Sequence, residues 1–214
     1  MIGVLGGTFD PVHYGHLRPA LEVMQRCGLD ELRLLPCGVP AHRAPPLASA
    51  AQRLAMLQRA IAGQPGFIID TRELERPGPS YMVPTLLSLH QSYPDDTLCL
   101  VLGEDAYHGL PSWHQWQRLF ELSHLLVMQR PGSPLQHSTE LAGRERRHRI
   151  ADAGALRQMP AGGVLHCAVT QLGISASTIR HMFEQGERPR YLMPDPVIEY
   201  ITSQGLYGSH GRVV

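Results

Sequence analysis

Gly6-Gly7-Thr8-Phe9-Asp10-Pro11-Val12-His13-Tyr14-Gly15-His16-Leu17 is the stretch on which the reading of this chain turns. A short apolar run, Met1 to Leu5, precedes it and reads as a strand. Beyond it Leu17, Ala20, Leu21 and Met24 recur at helical spacing. Pro19 falls in what that spacing makes the first turn, and Gly28 marks the stop. A strand, a glycine turn and a helix start place backbone N–H groups where an anion can be cradled. Gly6 and Gly7 allow a sharp turn and a close backbone approach, so the Thr8 and Phe9 N–H groups can face a phosphate. His13 and His16 add side-chain donors at the helix entrance, and the combination suits a polyphosphate.

The rest of the composition sets limits. The chain has 214 residues, is 43% hydrophobic and carries 19 basic and 19 acidic residues. That describes a globular domain with a proper core, and no charge excess points to a nucleic-acid or membrane partner. No apolar run approaches the roughly 18–20 residues that span a bilayer. The first residues lack a charged leader and already read as a strand, so a cytoplasmic protein is expected. Cys27, Cys37, Cys99 and Cys167 show no metal spacing and read as small buried hydrophobes. The twelve histidines match no metal-binding pattern, and outside the opening pair most are expected at the surface.

Short apolar runs alternate with helical ones. Strands are expected at Ile2–Leu5, Glu31–Pro36, Phe67–Thr71, Thr97–Leu102, His124–Met128 and Val164–Ala168. Helices are expected at Leu17–Cys27, Ala50–Ala62, Met82–Ser92, Trp113–Glu121, Ser177–Gln185 and Pro196–Ser203. The pattern predicts an α/β fold, a doubly wound Rossmann-like parallel sheet with helices on both faces, in one domain over 1–207. An inserted stretch, 131–163, carries a helix over Thr139–Ala153 with the basic run Arg144 to Arg149, read as a solvated face or a basic rim. Residues 170–207 form a C-terminal helical part, and 208–214 read as a disordered tail. In such sheets ligands bind beyond the carboxyl ends of the strands.

The other chemically marked segments follow strands. Gly173-Ile174-Ser175-Ala176-Ser177-Thr178-Ile179-Arg180 offers N-cap hydroxyls and a guanidinium at a helix start. Gly103-Glu104-Asp105 leads to Trp113-His114-Gln115-Trp116, of which Trp116 reads as core. Pro36 to Arg43 ends in the basic pair His42-Arg43. Arg76 to Leu86 contains Pro79-Ser80-Tyr81 and Thr85, and Arg130-Pro131-Gly132 follows another strand.

Together these segments resemble the nucleotidyltransferase superfamily with a His-x-Gly-His element, which transfers a nucleotide's α-phosphoryl group. Gly-Gly-Thr-Phe-Asp-Pro-Val-His-Tyr-Gly-His-Leu is similar to the bacterial nicotinate mononucleotide adenylyltransferase branch. The likeness runs from about Met1 to Tyr207 and is weakest at 131–163. It implies His13, His16 and Arg180 in catalysis. For ATP it implies Gly6, Gly7, Thr8, Phe9, Gly103, Asp105, Ile174, Ser175, Ser177 and Thr178 alongside those three. For nicotinate mononucleotide it implies Thr8, His42, Arg43, Tyr81, Thr85, Trp113, His114 and Arg130, with Trp113 stacked on the pyridine ring. It also implies Mg²⁺ entering with ATP, no resident metal, and a preference for the acid over the amide ring. Cys37 and Met82-Val83-Pro84 replace polar residues common in relatives.

Other readings are adenylyl or cytidylyl transfer to an acceptor such as phosphopantetheine or nicotinamide mononucleotide, and a nucleotide-binding sensor without catalysis. Trp113 and Thr85 weigh against phosphopantetheine, which has no aromatic ring to stack. The intact histidines and Arg180 weigh against a sensor. A homo-oligomer stays open.

Overall fold

The computed structural model describes residues 1–41, 44–129 and 139–208. In chain order its elements are β1 (Ile2–Gly7), α1 (Tyr14–Cys27), β2 (Glu31–Pro36), β3 (Val39–Pro40), α2 (Ala50–Ala60), β4 (Phe67–Ile69), α3 (Arg72–Glu75), β5 (Pro79–Ser80), α4 (Met82–Ser92), β6 (Leu98–Gly103), α5 (Glu104–His108), α6 (Leu119–Leu122), β7 (His124–Gln129), α7 (Thr139–His148), β8 (Val164–Ala168), α8 (Ala176–Glu184) and α9 (Asp195–Ser203). Six strands form one parallel sheet in the order β4-β2-β1-β6-β7-β8. The chain winds outward from β1 through β2 to β4, then returns to β1's other side and winds outward again. That reversal puts a crevice between the ends of β1 and β6, where ligands gather in doubly wound sheets.

The strand residues explain why both faces are covered. Leu98, Leu100 and Leu102 of β6 and Leu125 and Val127 of β7 pack on one side, with Val83, Leu86 and Leu89 of α4. Cys99, Val101, Leu126 and Met128 pack on the other, with α1, α8 and α9. This period of two, apolar on both phases, is what a buried parallel strand requires.

Several expected boundaries move for local reasons. α1 begins at Tyr14, three residues earlier than the apolar spacing indicates, because His13 and His16 themselves cap it. Pro19 therefore lies inside the helix and not in its first turn. Gly28 does close it, at φ 61°. The expected helix Trp113–Glu121 is instead a 3₁₀ turn at Trp116–Arg118 followed by α6. Gln115, at φ 53°, breaks the path just before it. α7 stops at His148, since Arg149 bridges to Val164 of β8.

The expectation that most histidines lie at the surface is corrected. Of the nine described, only His114 and His181 are exposed. His90, His124 and His148 tie loops together by binding the carbonyls of Leu122, Met159 and Gly162. His166 binds the buried Glu145 carboxylate at 2.9 Å. Cys27, Cys99 and Cys167 are buried, and Cys37 half-buried. Trp116 is a core residue. Within the basic run, Arg144 lies over the Trp116 and Phe120 rings, while Arg146, Arg147 and Arg149 are exposed. No helix among the described residues is long and apolar enough to cross a membrane.

Candidate active site

The segment after β1 is built around a strained backbone. Phe9 holds φ at 50°, a region that costs a non-glycine residue on the order of 1–3 kcal/mol. Its ring compensates by burying almost completely and packing edge-on to His16, with centroids 5.2 Å apart. That ring also explains Gly7, where a Cβ would lie 2.8 Å from the Phe9 Cζ. The His13 and His16 rings stack with centroids 3.8 Å apart. His16 Nδ1 accepts the His13 backbone N–H at 3.3 Å, so in the neutral ring Nε2 carries the proton. Gly15 must be glycine because a Cβ would meet the His13 ring at 2.9 Å and the Ile174 carbonyl at 3.1 Å. The second phosphate-type segment thus abuts the first, although 159 residues of sequence separate Gly15 from Ile174.

His13 is only 4% exposed, and burial pushes its imidazole down to about 4. The ring is therefore neutral at pH 7. Between about 4 and the ordinary 6.5, the unfolded chain binds a proton that the folded chain refuses, so stability falls as the pH drops through that window. The loss between pH 7 and pH 5 is about 2 kcal/mol. Urea unfolding midpoints at the two pH values check this, and His13→Gln should remove that part of the pH dependence.

Ser175 caps α8, accepting the Thr178 N–H at 3.1 Å, and its hydroxyl joins those of Ser177 and Thr178 at 2.9 and 2.8 Å. All three side chains are exposed, so an anion can reach this helix start. Arg180, one turn further, donates to the Asp10 carbonyl at 2.7 Å. Gly103 ends β6 at the crevice, and a Cβ there would meet open space. Asp105 follows it, exposed, in the first turn of α5.

On the far side, β3 and β5 pair as a two-stranded parallel sheet unforeseen from the sequence. It joins the segments after β2 and before α4, helped by a 2.9 Å bond from the Gly38 N–H to Ser80 Oγ. The exposed His114 ring lies against Tyr81 at 4.6 Å, and half-buried Trp113 leans on the core nearby. Thr85 is placed differently from the expectation of ligand contact. It is 0% exposed, its hydroxyl donates to Glu73 Oε1 at 2.7 Å, and Arg76 donates to it at 2.8 Å. Thr85 supports the Tyr81 segment from beneath, its hydroxyl 3.1 Å from the Tyr81 carbonyl. Burial raises the Glu73 carboxyl above its ordinary value. His42, Arg43 and Arg130 lie outside the described residues.

Two site residues were missed in the sequence. Asp10 is 6% exposed and accepts the Leu47 and Ala48 N–H groups at 2.7 and 3.1 Å and the Tyr207 hydroxyl at 2.5 Å. Arg53, buried in α2, donates to the Thr8 and Cys37 carbonyls. Its signal was an arginine on the apolar face, with Met56 and Leu57 three and four residues on. Among the described residues no cluster of three or more His, Cys, Asp or Glu could hold a metal.

This arrangement agrees with what the chain resembles. Residues 4–182 match the cytidylyltransferase-like family model. A Methylococcus capsulatus protein named "Probable nicotinate-nucleotide adenylyltransferase" is 48% identical over 97% of this chain and 99% of its own. An Acidithiobacillus ferrooxidans protein of the same name is 47% identical over 96% of this chain and 95% of its own. Among solved structures, Plasmodium falciparum nicotinic acid mononucleotide adenylyltransferase complexed with NaAD superposes with a TM-score of 0.73. It covers 98% of both chains at 17% identity, a likeness of fold. With its glycine turn, paired histidines and serine-capped helix meeting at the crevice of a doubly wound sheet, this chain belongs to the nicotinate-nucleotide adenylyltransferases within the cytidylyltransferase-like family.

Proposed function

We propose that the protein transfers the adenylyl group of ATP to nicotinate mononucleotide, giving nicotinic acid adenine dinucleotide and pyrophosphate, a step of NAD biosynthesis. The observation that carries this is the meeting of two anion-type elements, His13–His16 and the α8 start, across Gly15. A phosphate oxygen of the mononucleotide attacks the α-phosphorus as the bond to pyrophosphate breaks. The acceptor oxygen is already ionised, so no general base and no covalent enzyme intermediate are needed. Positioning and charge stabilisation supply the rate.

In this mechanism His13 and His16 hold the triphosphate and meet the charge that grows on the departing pyrophosphate. The neutral resting His13 still carries one ring N–H, which can be donated to phosphate without any change in its charge. The hydroxyls of Ser175, Ser177 and Thr178 and the Arg180 guanidinium grip the outer phosphates. Mg²⁺ brought in with ATP would neutralise phosphate charge and would need no carboxylate ligands from the protein. Asp105 orders the adenosine ribose.

Trp113 would stack on the pyridine ring, whose electron-poor face suits indole. Trp113→Ala should raise KM for the mononucleotide roughly ten-fold and leave KM for ATP nearly unchanged. Steady-state kinetics with each substrate varied check this; an effect on ATP, or on thermal stability alone, would make Trp113 a core residue. The acid should be preferred over the amide by roughly ten-fold to several hundred-fold, because backbone N–H donors pair with both carboxylate oxygens but clash with an amide NH₂. Pyrophosphate release with nicotinate mononucleotide, its amide analogue and phosphopantetheine tests the acceptor. Equal or greater efficiency with phosphopantetheine overturns it.

A further inference from the structure

Arg53 is 1% exposed, and its Nε has no hydrogen-bond partner. Among the described residues it pairs with no carboxylate, and its bonds run to the Thr8 carbonyl at 2.9 Å, the Cys37 carbonyl at 2.7 Å and, weakly, the Cys37 Sγ at 4.0 Å. A desolvated guanidinium whose charge no carboxylate offsets is expensive to fold, so an ordinary packing role accounts for it poorly. What it touches is more informative. Thr8 and Cys37 directly follow β1 and β2, neighbouring strands already joined there by the Cys37 N–H to the Gly7 carbonyl at 3.0 Å. Arg53 therefore clamps the two loops that open onto the crevice.

A trans peptide is planar, with its C=O and N–H on opposite sides. Each carbonyl that Arg53 holds thus turns the N–H of the next residue away from it. For the Cys37–Gly38 peptide, that N–H reaches Ser80 Oγ at 2.9 Å. For the Thr8–Phe9 peptide, no acceptor among the described residues takes the N–H. The two peptides are clamped by one side chain, and the protein satisfies the outward N–H of only one. The other belongs to a residue held at φ 50°, beside His16.

We propose that Arg53 is a positioning residue for nucleotidyl transfer: by fixing the Thr8 and Cys37 carbonyls it sets the Thr8–Phe9 peptide so that the Phe9 N–H serves the phosphates. The proposal rests on the transfer reading above. Arg53 touches no reacting atom; without it the peptide can rotate, and the site then presents a carbonyl oxygen to phosphate in place of a donor. Loss of one aimed donor lowers turnover by roughly 100-fold or more.

The chain contains four phenylalanines, so ¹⁵N-phenylalanine labelling yields four backbone amide signals, with Phe9 assigned by Phe9→Tyr. In the wild type, inorganic pyrophosphate should shift the Phe9 signal and leave those of Phe67 and Phe120 in place. In Arg53→Met the Phe9 signal should no longer respond, the Phe67 and Phe120 signals should stay native, and kcat should fall roughly 100-fold. Arg53→Lys keeps the charge but cannot span both carbonyls, so it should be intermediate. It decides the matter if the methionine variant does not fold. A wild-type Phe9 signal indifferent to pyrophosphate overturns the proposal, as does an Arg53→Lys enzyme with wild-type kcat and a wild-type Phe9 response. Failure of the wild type to make dinucleotide would instead remove the transfer reading, which the pyrophosphate titration does not depend on.

Discussion

His16→Ala should lower kcat by roughly 10²–10³-fold while weakening ATP binding far less. The reason lies in when the hydrogen bond matters. On the proposed mechanism the ground-state triphosphate would already be shared among Mg²⁺, backbone N–H groups and the α8 start, so one imidazole would add little to binding. Charge builds on the bridging oxygen only as the bond to pyrophosphate breaks, and the proposed mechanism places the action of His16 there. Its Nδ1 is engaged by the His13 N–H, which fixes the ring's orientation and makes Nε2 the proton-bearing atom. His13→Ala should show a similar loss of turnover with a larger rise in KM for ATP. It also removes the buried ring against which His16 stacks at 3.8 Å. Steady-state kinetics with ATP varied separate the two effects, and near-normal kcat in His16→Ala would take away the core of the mechanism.

Asp10→Ala should lower the thermal midpoint by roughly 6–20 °C. One buried carboxylate there accepts the Leu47 and Ala48 N–H groups and the Tyr207 hydroxyl, while its own backbone carbonyl receives Arg180. Removing the carboxylate strands three donors, two of them in buried hydrogen bonds, at a cost on the order of 3–5 kcal/mol. Asp10→Asn keeps the shape but turns an NH₂ toward one donor, so about half that loss is expected. Activity should fall as well, because Asp10 joins the loop before α2, the C-terminal helices and the opening motif. Differential scanning calorimetry beside kinetics checks both. A variant of unchanged midpoint would show that the C-terminal part is held to the motif by other contacts.

Sequence pattern revealed the sheet because its signal is local: the buried strands are largely apolar runs, most plainly Leu98–Gly103. The opening motif and the α8 start were legible for the same reason, each being a contiguous turn and helix start. What escaped depends on neighbours distant in sequence. Arg53 becomes meaningful only when Thr8 and Cys37 fold against it, 45 and 16 residues away. The bonds of the Thr85 hydroxyl to Glu73 and Arg76, 12 and 9 residues away, likewise carry no spacing signal. The β3–β5 pair was invisible because two-residue strands containing proline carry no periodicity. Histidines expected at the surface were drawn inward by loop carbonyls that no spacing rule anticipates.

The most direct measurement of the central claim follows both products in one reaction. The enzyme is incubated with ATP, Mg²⁺ and nicotinate mononucleotide, and dinucleotide and pyrophosphate are quantified together. Direct attack of the acceptor phosphate on the α-phosphorus predicts one dinucleotide and one pyrophosphate per ATP consumed, and neither when the mononucleotide is omitted. Pyrophosphate formed without dinucleotide, or cleavage of ATP to ADP and phosphate, would contradict it.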